Sequence, residues 1–265
     1  MQNVHAIRGQ HYRTVWISDV HLGSRGCQAT FLLDFLKSVR CEKLYLVGDI
    51  IDTWALRRSF YWPQAHNDVL RAVLGAAKHD TEVIYVPGNH DAMFRDHVGT
   101  RFGNVEIRRH DIHQAADGRR YLVLHGDEFD SVVQYSQLVA MFGSKMYDTL
   151  LRLNQPVNFV RSVMGRPYWS LSAFVKSKVK EAVNYISDYE EAVAREAARF
   201  GIDGVICGHI HRAELSDIQG IRYGNCGDWV ESCTALVEGH NGEVRLIDWS
   251  EVVRSGQGET MPRVA

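Results

Sequence analysis

Three short apolar runs, each ending in polar residues of metal-ligand type, limit what this chain can fold into. Tyr12–Ser18, Lys43–Val47 and Glu82–Val86 are rich in β-branched and aromatic residues and are too short for helices. Between them apolar residues recur at helical spacing. Phe31, Leu32, Phe35, Leu36 and Val39 mark one helix over about Gln28–Val39, and Val69, Leu70, Val73 and Leu74 mark another over about Gln64–Lys78. Strand–helix alternation predicts an α/β layered fold. The first run ends in Asp19-Val20-His21, which sets a carboxylate and an imidazole side by side just past a sheet edge.

The rhythm then changes. Val105–Arg108, Asp111–Ala115 and Arg120–Leu124 read as shorter strands, with Asp117-Gly118 as a hairpin turn between the last two. Strands return at Gly204–Cys207, Ile221–Tyr223, Cys233–Val237 and Val244–Trp249, with Asn241-Gly242 as a second hairpin signal. Both halves supply strands, so two stacked sheets flanked by helices are the natural assembly. The tail from Ser255, with Gly256, Gly258 and Pro262, reads as disordered.

Residues from about 130 to 200 lack strand alternation. Helices are expected over Gln134–Leu153, Pro156–Met164 and roughly Ser170–Phe200. From Ser131 to Lys180 seven basic residues face one acid, Asp148, a net of +6 in a chain whose formal charge is -2. Met141, Phe142, Met146, Tyr147, Tyr168 and Trp169 lie in the same stretch. The chain therefore reads as one domain over 1–265 with a helical insertion at 130–200. The insertion suits an anionic, partly apolar target, or its aromatics simply pack on the core.

The strand ends gather a ligand set: Asp19, His21, Asp49, Asn89, His125, His209 and His211. Carboxylate, imidazole and amide oxygen without thiolate suit Mn²⁺, Fe²⁺, Zn²⁺ or Mg²⁺ rather than a structural zinc cage. Seven ligands exceed the need of one ion, so two ions sharing a carboxylate is the economical arrangement. Such a pair clamps the attacking and leaving oxygens of a phosphoryl group in in-line displacement. Asp52 reads equally as support for this set or as a cap on the following loop. His110, His113 and His240 lie outside every block and read as ordinary surface or capped histidines.

Asp-x-His, Gly-Asp, Gly-Asn-His-Asp, His-Gly-Asp and Gly-His-x-His occur in this order from Asp19 to His211. Together they resemble the signature of calcineurin-like metallophosphoesterases. The resemblance implies a two-sheet β-sandwich flanked by helices and a two-metal site, with Mn²⁺ the first choice of ion. By position, Asp19, His21 and His211 would hold one ion, and Asn89, His125 and His209 the other, with Asp49 bridging. His90 would face the substrate phosphate as an acid or charge stabiliser, and Asp91 would orient His90.

Within that superfamily, Ile17-Ser18-Asp19-Val20-His21-Leu22 and Gly48-Asp49-Ile50-Ile51-Asp52-Thr53-Trp54 resemble the UDP-2,3-diacylglucosamine pyrophosphatases of lipid A biosynthesis. Chain length and a helical insertion before the last metal block also fit. In that group the insertion is a lid for acyl chains, and the reaction splits the substrate into 2,3-diacylglucosamine 1-phosphate and UMP. Trp54, Arg166 and Lys176 are the candidates for substrate contact. This chain departs from the group's Gly-Asn-Arg-Asp, carrying Gly-Asn-His-Asp as the wider superfamily does. The alternative is a related enzyme acting on another phosphodiester, phosphomonoester or nucleotide pyrophosphate.

A non-catalytic scaffold predicts lost ligands, and none of the seven is lost. A nuclease predicts a basic groove, which the net charge of -2 disfavours, so no nucleic-acid partner is expected. Five cysteines, an odd number with no Cys-x-x-Cys pair, read as reduced thiols of a cytoplasmic protein. Met1–Arg8 shows no apolar run after its charge, and no run of about 18 apolar residues appears anywhere. Contact with the cytoplasmic face of the inner membrane would then be peripheral, through a lipid-linked nucleotide-sugar substrate.

Overall fold

Alternation within single strands sets the layers. In β1 (His11–Ile17), Val15 and Ile17 join the cluster formed with the helices, whereas Trp16 between them joins a second cluster. The same division runs through β2 (Arg40–Val47), where Leu44 and Leu46 oppose Tyr45 and Val47. It recurs in β3 (Glu82–Val86), with Val83 and Tyr85 opposed to Ile84 and Val86. A two-residue period sends successive side chains to opposite faces, so a strand covered on both faces reads as an unbroken apolar run. The helix-side cluster is completed by Leu32 and Phe35 of α1 (Ala29–Ser38) and by Val69 and Val73 of α3 (Gln64–Lys78). A short helix, α2 (Thr53–Arg58), precedes α3.

The computed structural model describes residues 9–79, 81–130 and 186–257. Its larger sheet adds β4 (Arg101–Phe102), β5 (Val105–Ile107), β11 (Thr234–Glu238) and β12 (Val244–Asp248), in the order β12-β11-β1-β2-β3-β5-β4. The smaller sheet contains β6 (Asp111–Gln114), β7 (Arg120–Val123), β8 (Gly204–Cys207), β9 (Glu214–Ile218) and β10 (Ile221–Asn225), in the order β6-β7-β8-β10-β9. β1, β2, β3 and β5 run parallel in the first sheet, and β7, β8 and β10 in the second. Tyr121, Val123 and Ile206 of the smaller sheet pack against Trp16, Tyr45 and Ile84 of the larger. This is the expected fold class: mixed α/β, two sheets, flanking helices.

Several elements escape a reading of periodicity. β9 is a half-exposed edge strand with polar residues on both faces, so it shows no alternation. α2 is only six residues long, too short for two turns of pattern. Of the tail expected to be disordered from Ser255, residues 255–257 instead complete a helix, α5 (Trp249–Gln257), anchored by buried Trp249 and Val252, and the rest lies outside the described residues. Internal contacts divide the chain into Met1–Glu128 with Val193–Ala265, and Phe129–Ala192; all described strands belong to the first unit. The helices expected over Gln134–Leu153 and Pro156–Met164 lie outside the described residues, as do Arg166 and Lys176. Of the third expected segment, residues 186–199 are a helix, α4.

One buried carboxylate ties the two sheets. Glu238 at the end of β11 accepts hydrogen bonds from Arg13 (2.7 Å) and the Ala116 N–H (2.8 Å) on one oxygen. Its other oxygen accepts from Thr14 (2.7 Å) and lies 2.8 Å from His113 Nε2. Burial alone would raise its pKa, but these four partners outweigh it and bring the carboxyl down to about 2. A depressed folded-state pKa contributes stability that is complete above the unfolded value of 4.5 and is lost as pH falls toward 2. Between pH 7 and pH 3 that loss is roughly 2 kcal/mol. Glu238→Gln should therefore be less stable than the parent at pH 7, and the difference should narrow by about that amount at pH 3 in urea titrations. A constant difference would show that the charge of Glu238 is not what ties the sheets.

Candidate metal centre

The seven candidate ligands sit where parallel strands end. Asp19 and His21 follow β1, Asp49 follows β2, Asn89 follows β3, His125 follows β7, and His209 and His211 follow β8. An open α/β sheet places its ligands outside the carboxyl ends of its strands. Two sheets here bring such ends together, so residues far apart in sequence converge.

Convergence requires the chain to turn at once on leaving each strand. Asp19, His21, Asp49, His209 and His211 all adopt left-handed backbone, with φ between 50° and 71°. Non-glycine residues rarely do so, at a cost of order 1–3 kcal/mol each, and such residues concentrate at functional sites. The loops brace one another through the backbone. Asp19 N–H donates to Gly48 O (3.0 Å), His21 N–H to Asp49 O (2.9 Å) and Gly208 N–H to His125 O (3.1 Å).

Asp19, His21 and His211 form one group, with one ligand atom from each within 4.8 Å of the others. Asp19 Oδ2 accepts the His209 N–H at 2.9 Å. Its Oδ1 is buried and makes no hydrogen bond, although His211 Nε2 lies 3.3 Å away and His21 Nε2 4.0 Å away. His21 turns Nδ1 to the Asp52 carboxylate at 3.3 Å, so that nitrogen is the N–H and Nε2 presents its lone pair. Two Nε2 atoms 3.3 Å apart and an unsatisfied carboxylate oxygen converge on one point, a donor set made for a cation. Burial works against the charge on Asp19, but His211, His125 and His21 outweigh it and hold the carboxyl below its usual range. Burial likewise opposes charge on His211, and Asp19 overcomes it, lifting the imidazole to about 9.

Asp49, His125 and His209 form the second group, all buried. His125 Nδ1 donates to the Val47 carbonyl at 3.0 Å, since that oxygen only accepts. Nε2 is thereby aimed at Asp49 Oδ2 (3.4 Å) and Asn89 Oδ1 (3.2 Å). Burial disfavours charge on this ring, yet Asp49 and then Asp19 raise its pKa to about 10, so the local field favours positive charge. Asp49 stands between the groups and also falls within a third cluster with His21 and His90. Burial pushes its carboxyl up, but His125 and His21 bring it below the ordinary value. Six of the seven expected ligands thus fall into two His/Asp groups fit for a pair of divalent ions, and the seventh, Asn89, stands beside His125 of the second group.

The remaining expected residues divide differently. His90 faces the site, its Nε2 4.0 Å from Asp49 Oδ2 and its ring in edge contact with His21 at 4.7 Å. Asp91 was expected to orient it, but Asp52 makes that contact: His90 Nδ1 lies 3.0 Å from Asp52 Oδ1. Asp91 is turned back under the loop, where it accepts from Tyr85, Gly88 N–H (2.6 Å) and Ile50 N–H (2.7 Å). Asp52 takes both roles that sequence left open, since it also caps α2 through the Ala55 N–H at 2.8 Å. Burial raises the Asp52 carboxyl, but hydrogen bonds from His21 and His90 outweigh it and lower its pKa. Burial lowers that of His90, which the Asp52 bond reverses, leaving it raised. Trp54, half exposed, lies against the His90 ring, with centroids 4.1 Å apart and the planes tilted by 33°. Tyr85 as the support of Asp91 was not foreseen; it reads as one more core aromatic of β3.

The calcineurin-like phosphoesterase family matches residues 12–213. The chain belongs to that family. The two His/Asp ligand groups support a metal-dependent hydrolase activity in general. Among relatives, the UDP-2,3-diacylglucosamine hydrolase of Marinobacter nauticus is 25% identical over 245 residues, 88% of this chain and 96% of that protein. The protein of the same name from Blochmanniella pennsylvanica is 26% identical over 116 residues, so the match spans only 46% of its length and 43% of this chain. A solved structure of a hypothetical protein from Pyrococcus horikoshii has TM-score 0.49 and 10% identity, covering 96% of this chain and 95% of that one.

Gly48 shows how tightly the phosphoesterase centre is closed. Its φ is 78°, and a Cβ there would lie 2.1 Å from His125 Nδ1. Gly48→Ala should push His125 off the Val47 carbonyl and destabilise the fold by more than about 1 kcal/mol. Elemental analysis of the purified variant should show the metal content falling toward one ion per chain. Two ions retained at parental affinity would mean that His125 does not depend on this contact.

Proposed function

We propose that the chain is a di-metal pyrophosphatase that splits UDP-2,3-diacylglucosamine into 2,3-diacylglucosamine 1-phosphate and UMP. The observation that carries the phosphoester chemistry is the pair of ligand groups on either side of Asp49. The substrate reading is supported by the names of the relatives and by the openings of the first two blocks. Asp19, His21 and His211 would hold one ion, Asn89, His125 and His209 the second, and Asp49 both. Mn²⁺ is the first choice, with Fe²⁺, Zn²⁺ and Mg²⁺ compatible with the same donors. When bound, the ions supply Lewis-acid charge to the phosphoryl oxygens.

The chain's own contribution centres on His90. Asp52 fixes its ring through Nδ1 and favours its charged form, which leaves Nε2–H to donate to a phosphoryl or leaving oxygen. Asp91 holds the loop that carries Asn89 and His90 against the Asp49 turn. Trp54, packed against His90, would offer its exposed ring to the nucleotide. Arg166 and Lys176 in the 130–200 insertion would pair with lipid phosphate, and the insertion itself would act as a lid for acyl chains. Such an enzyme would meet its lipid substrate peripherally at the cytoplasmic face of the membrane. Among the described residues no helix is long and apolar enough to cross a bilayer.

His90 also favours a second reading. It stands where the lipid A enzymes carry Arg, and an imidazole suits a smaller phosphodiester or monoester equally well. Turnover of UDP-2,3-diacylglucosamine beside bis(p-nitrophenyl) phosphate, each with Mn²⁺, Mg²⁺ and chelator, separates the readings. The first substrate should be cleaved with added Mn²⁺ and not with chelator. Cleavage of the second alone would move the assignment to another phosphoester. His90→Ala should lower kcat by about 10²–10⁴ with both ions still bound. An ion lost from that variant would make His90 a ligand instead.

A further inference from the structure

We propose that His11, Glu42 and His240 form an additional metal site, separate from the di-metal centre, for a borderline first-row ion such as Zn²⁺. One ligand atom from each lies within 4.8 Å of the other two. His11 Nδ1 and His240 Nε2 are 3.1 Å apart, and the two rings lie parallel within 4°, with centroids 5.2 Å apart. Glu42 Oε1 lies 3.6 Å from His240 Nδ1.

Three neighbouring strands build the site. His11 opens β1, Glu42 lies in β2 on one side of it, and His240 follows β11 on the other. His240 is held in a hydrogen-bonded hairpin turn: Gly242 N–H donates to Gly239 O (3.0 Å) and Gly239 N–H to Glu243 O (3.0 Å). Donors carried on paired strands and a closed turn are pre-positioned in a way that loop residues are not.

The spacing suits an ion. A tetrahedral Zn²⁺ with bonds of 2.0–2.1 Å to nitrogen sets its ligands about 3.3 Å apart, close to the separation of the two imidazole nitrogens. Two imidazoles and one carboxylate are a borderline donor set, which selects Zn²⁺ or Cu²⁺ over Mg²⁺ or Ca²⁺. All three side chains are exposed, so water completes the shell. His11 and Glu42 also line the cavity that opens between β1, β2, α1 and α3, which leaves room for that water. An ion would take the place of the direct contact between His11 Nδ1 and His240 Nε2.

The di-metal centre cannot be the source of this cluster. β1 carries the chain about 20 Å from His11 to Ile17, and Asp19 lies beyond its far end. His240, outside every sequence block, thereby acquires a role that only the pairing of β11 with β1 makes visible.

Equilibrium dialysis against Zn²⁺, followed by elemental analysis, should find one more ion per chain in the parent than in a His11→Gln, His240→Gln double variant. Glu42→Gln should weaken the extra ion at least about tenfold. The three positions are exposed, so the variants should keep the parent's circular dichroism and its metal-dependent hydrolysis. In the unaltered protein, Zn²⁺ should protect His11 and His240 from carbethoxylation by diethyl pyrocarbonate, read by peptide mass spectrometry. Equal stoichiometry in parent and double variant, or equal modification of both histidines with and without Zn²⁺, would overturn the site.

Discussion

The confrontation of buried carboxylates with buried imidazoles is the constraint on which the structure turns. Asp19 and Asp49 are almost fully removed from water, as are His125 and His209. Isolated carboxylates so placed would be costly, and they persist because Asp49 faces His125 at 3.4 Å and Asp19 faces His211 at 3.3 Å. The backbone bears the consequence. Five of the seven ligands accept left-handed φ values so that their side chains meet, and the glycines beside them leave no space for a Cβ. Gly88 is as tightly placed as Gly48, since a Cβ there would lie 2.2 Å from Asp49 Oδ1.

Asp52 extends this arrangement outward. One carboxylate reaches His21, His90 and the first turn of α2 at once. A residue of the proposed metal set, the proposed acid and a helix start therefore share a single anchor. Thr53, the next residue, bonds the His90 carbonyl through both its hydroxyl and its N–H, which fixes the same loop a second time. The site thus depends on a short stretch, Gly48 to Trp54, that supplies the central carboxylate, the anchor and the aromatic against His90.

Much of this was legible in the chain. The limits of α3, β3 and β8 follow from pattern alone, because α3 has a clean helical period and the two strands are short unbroken apolar runs bounded by polar or glycine residues. The order of the polar blocks predicts which side chains meet, since every block follows a buried strand. What pattern could not reveal lies in side-chain direction. Asp91 stands next to His90 in sequence, but successive residues in a tight loop point apart, and Asp52 is the one that reaches the ring. Edge strands such as β9 and one-turn elements such as α2 carry too little periodicity to be recognised. The His11–Glu42–His240 cluster depends on antiparallel pairing of strands more than 220 residues apart, which no local signal encodes.

The distribution of ligands over two sheets has a consequence for how the molecule assembles. Asp19 meets the His209 N–H across 190 residues of chain, and Asn225 secures the Gly208 turn from yet another strand. Neither sheet alone holds a complete ligand group, because His125, His209 and His211 come from one and Asp19, His21, Asp49 and Asn89 from the other. Contacts of such long sequence separation carry a loop-closure cost that must be met before they form. An ion that needs ligands from both sheets has no competent partner in a half-formed chain, so it stabilises only the finished molecule by mass action. Acquisition of metal would then be coupled to the joining of the two sheets, and a chain that has not yet joined them has no assembled site for chemistry.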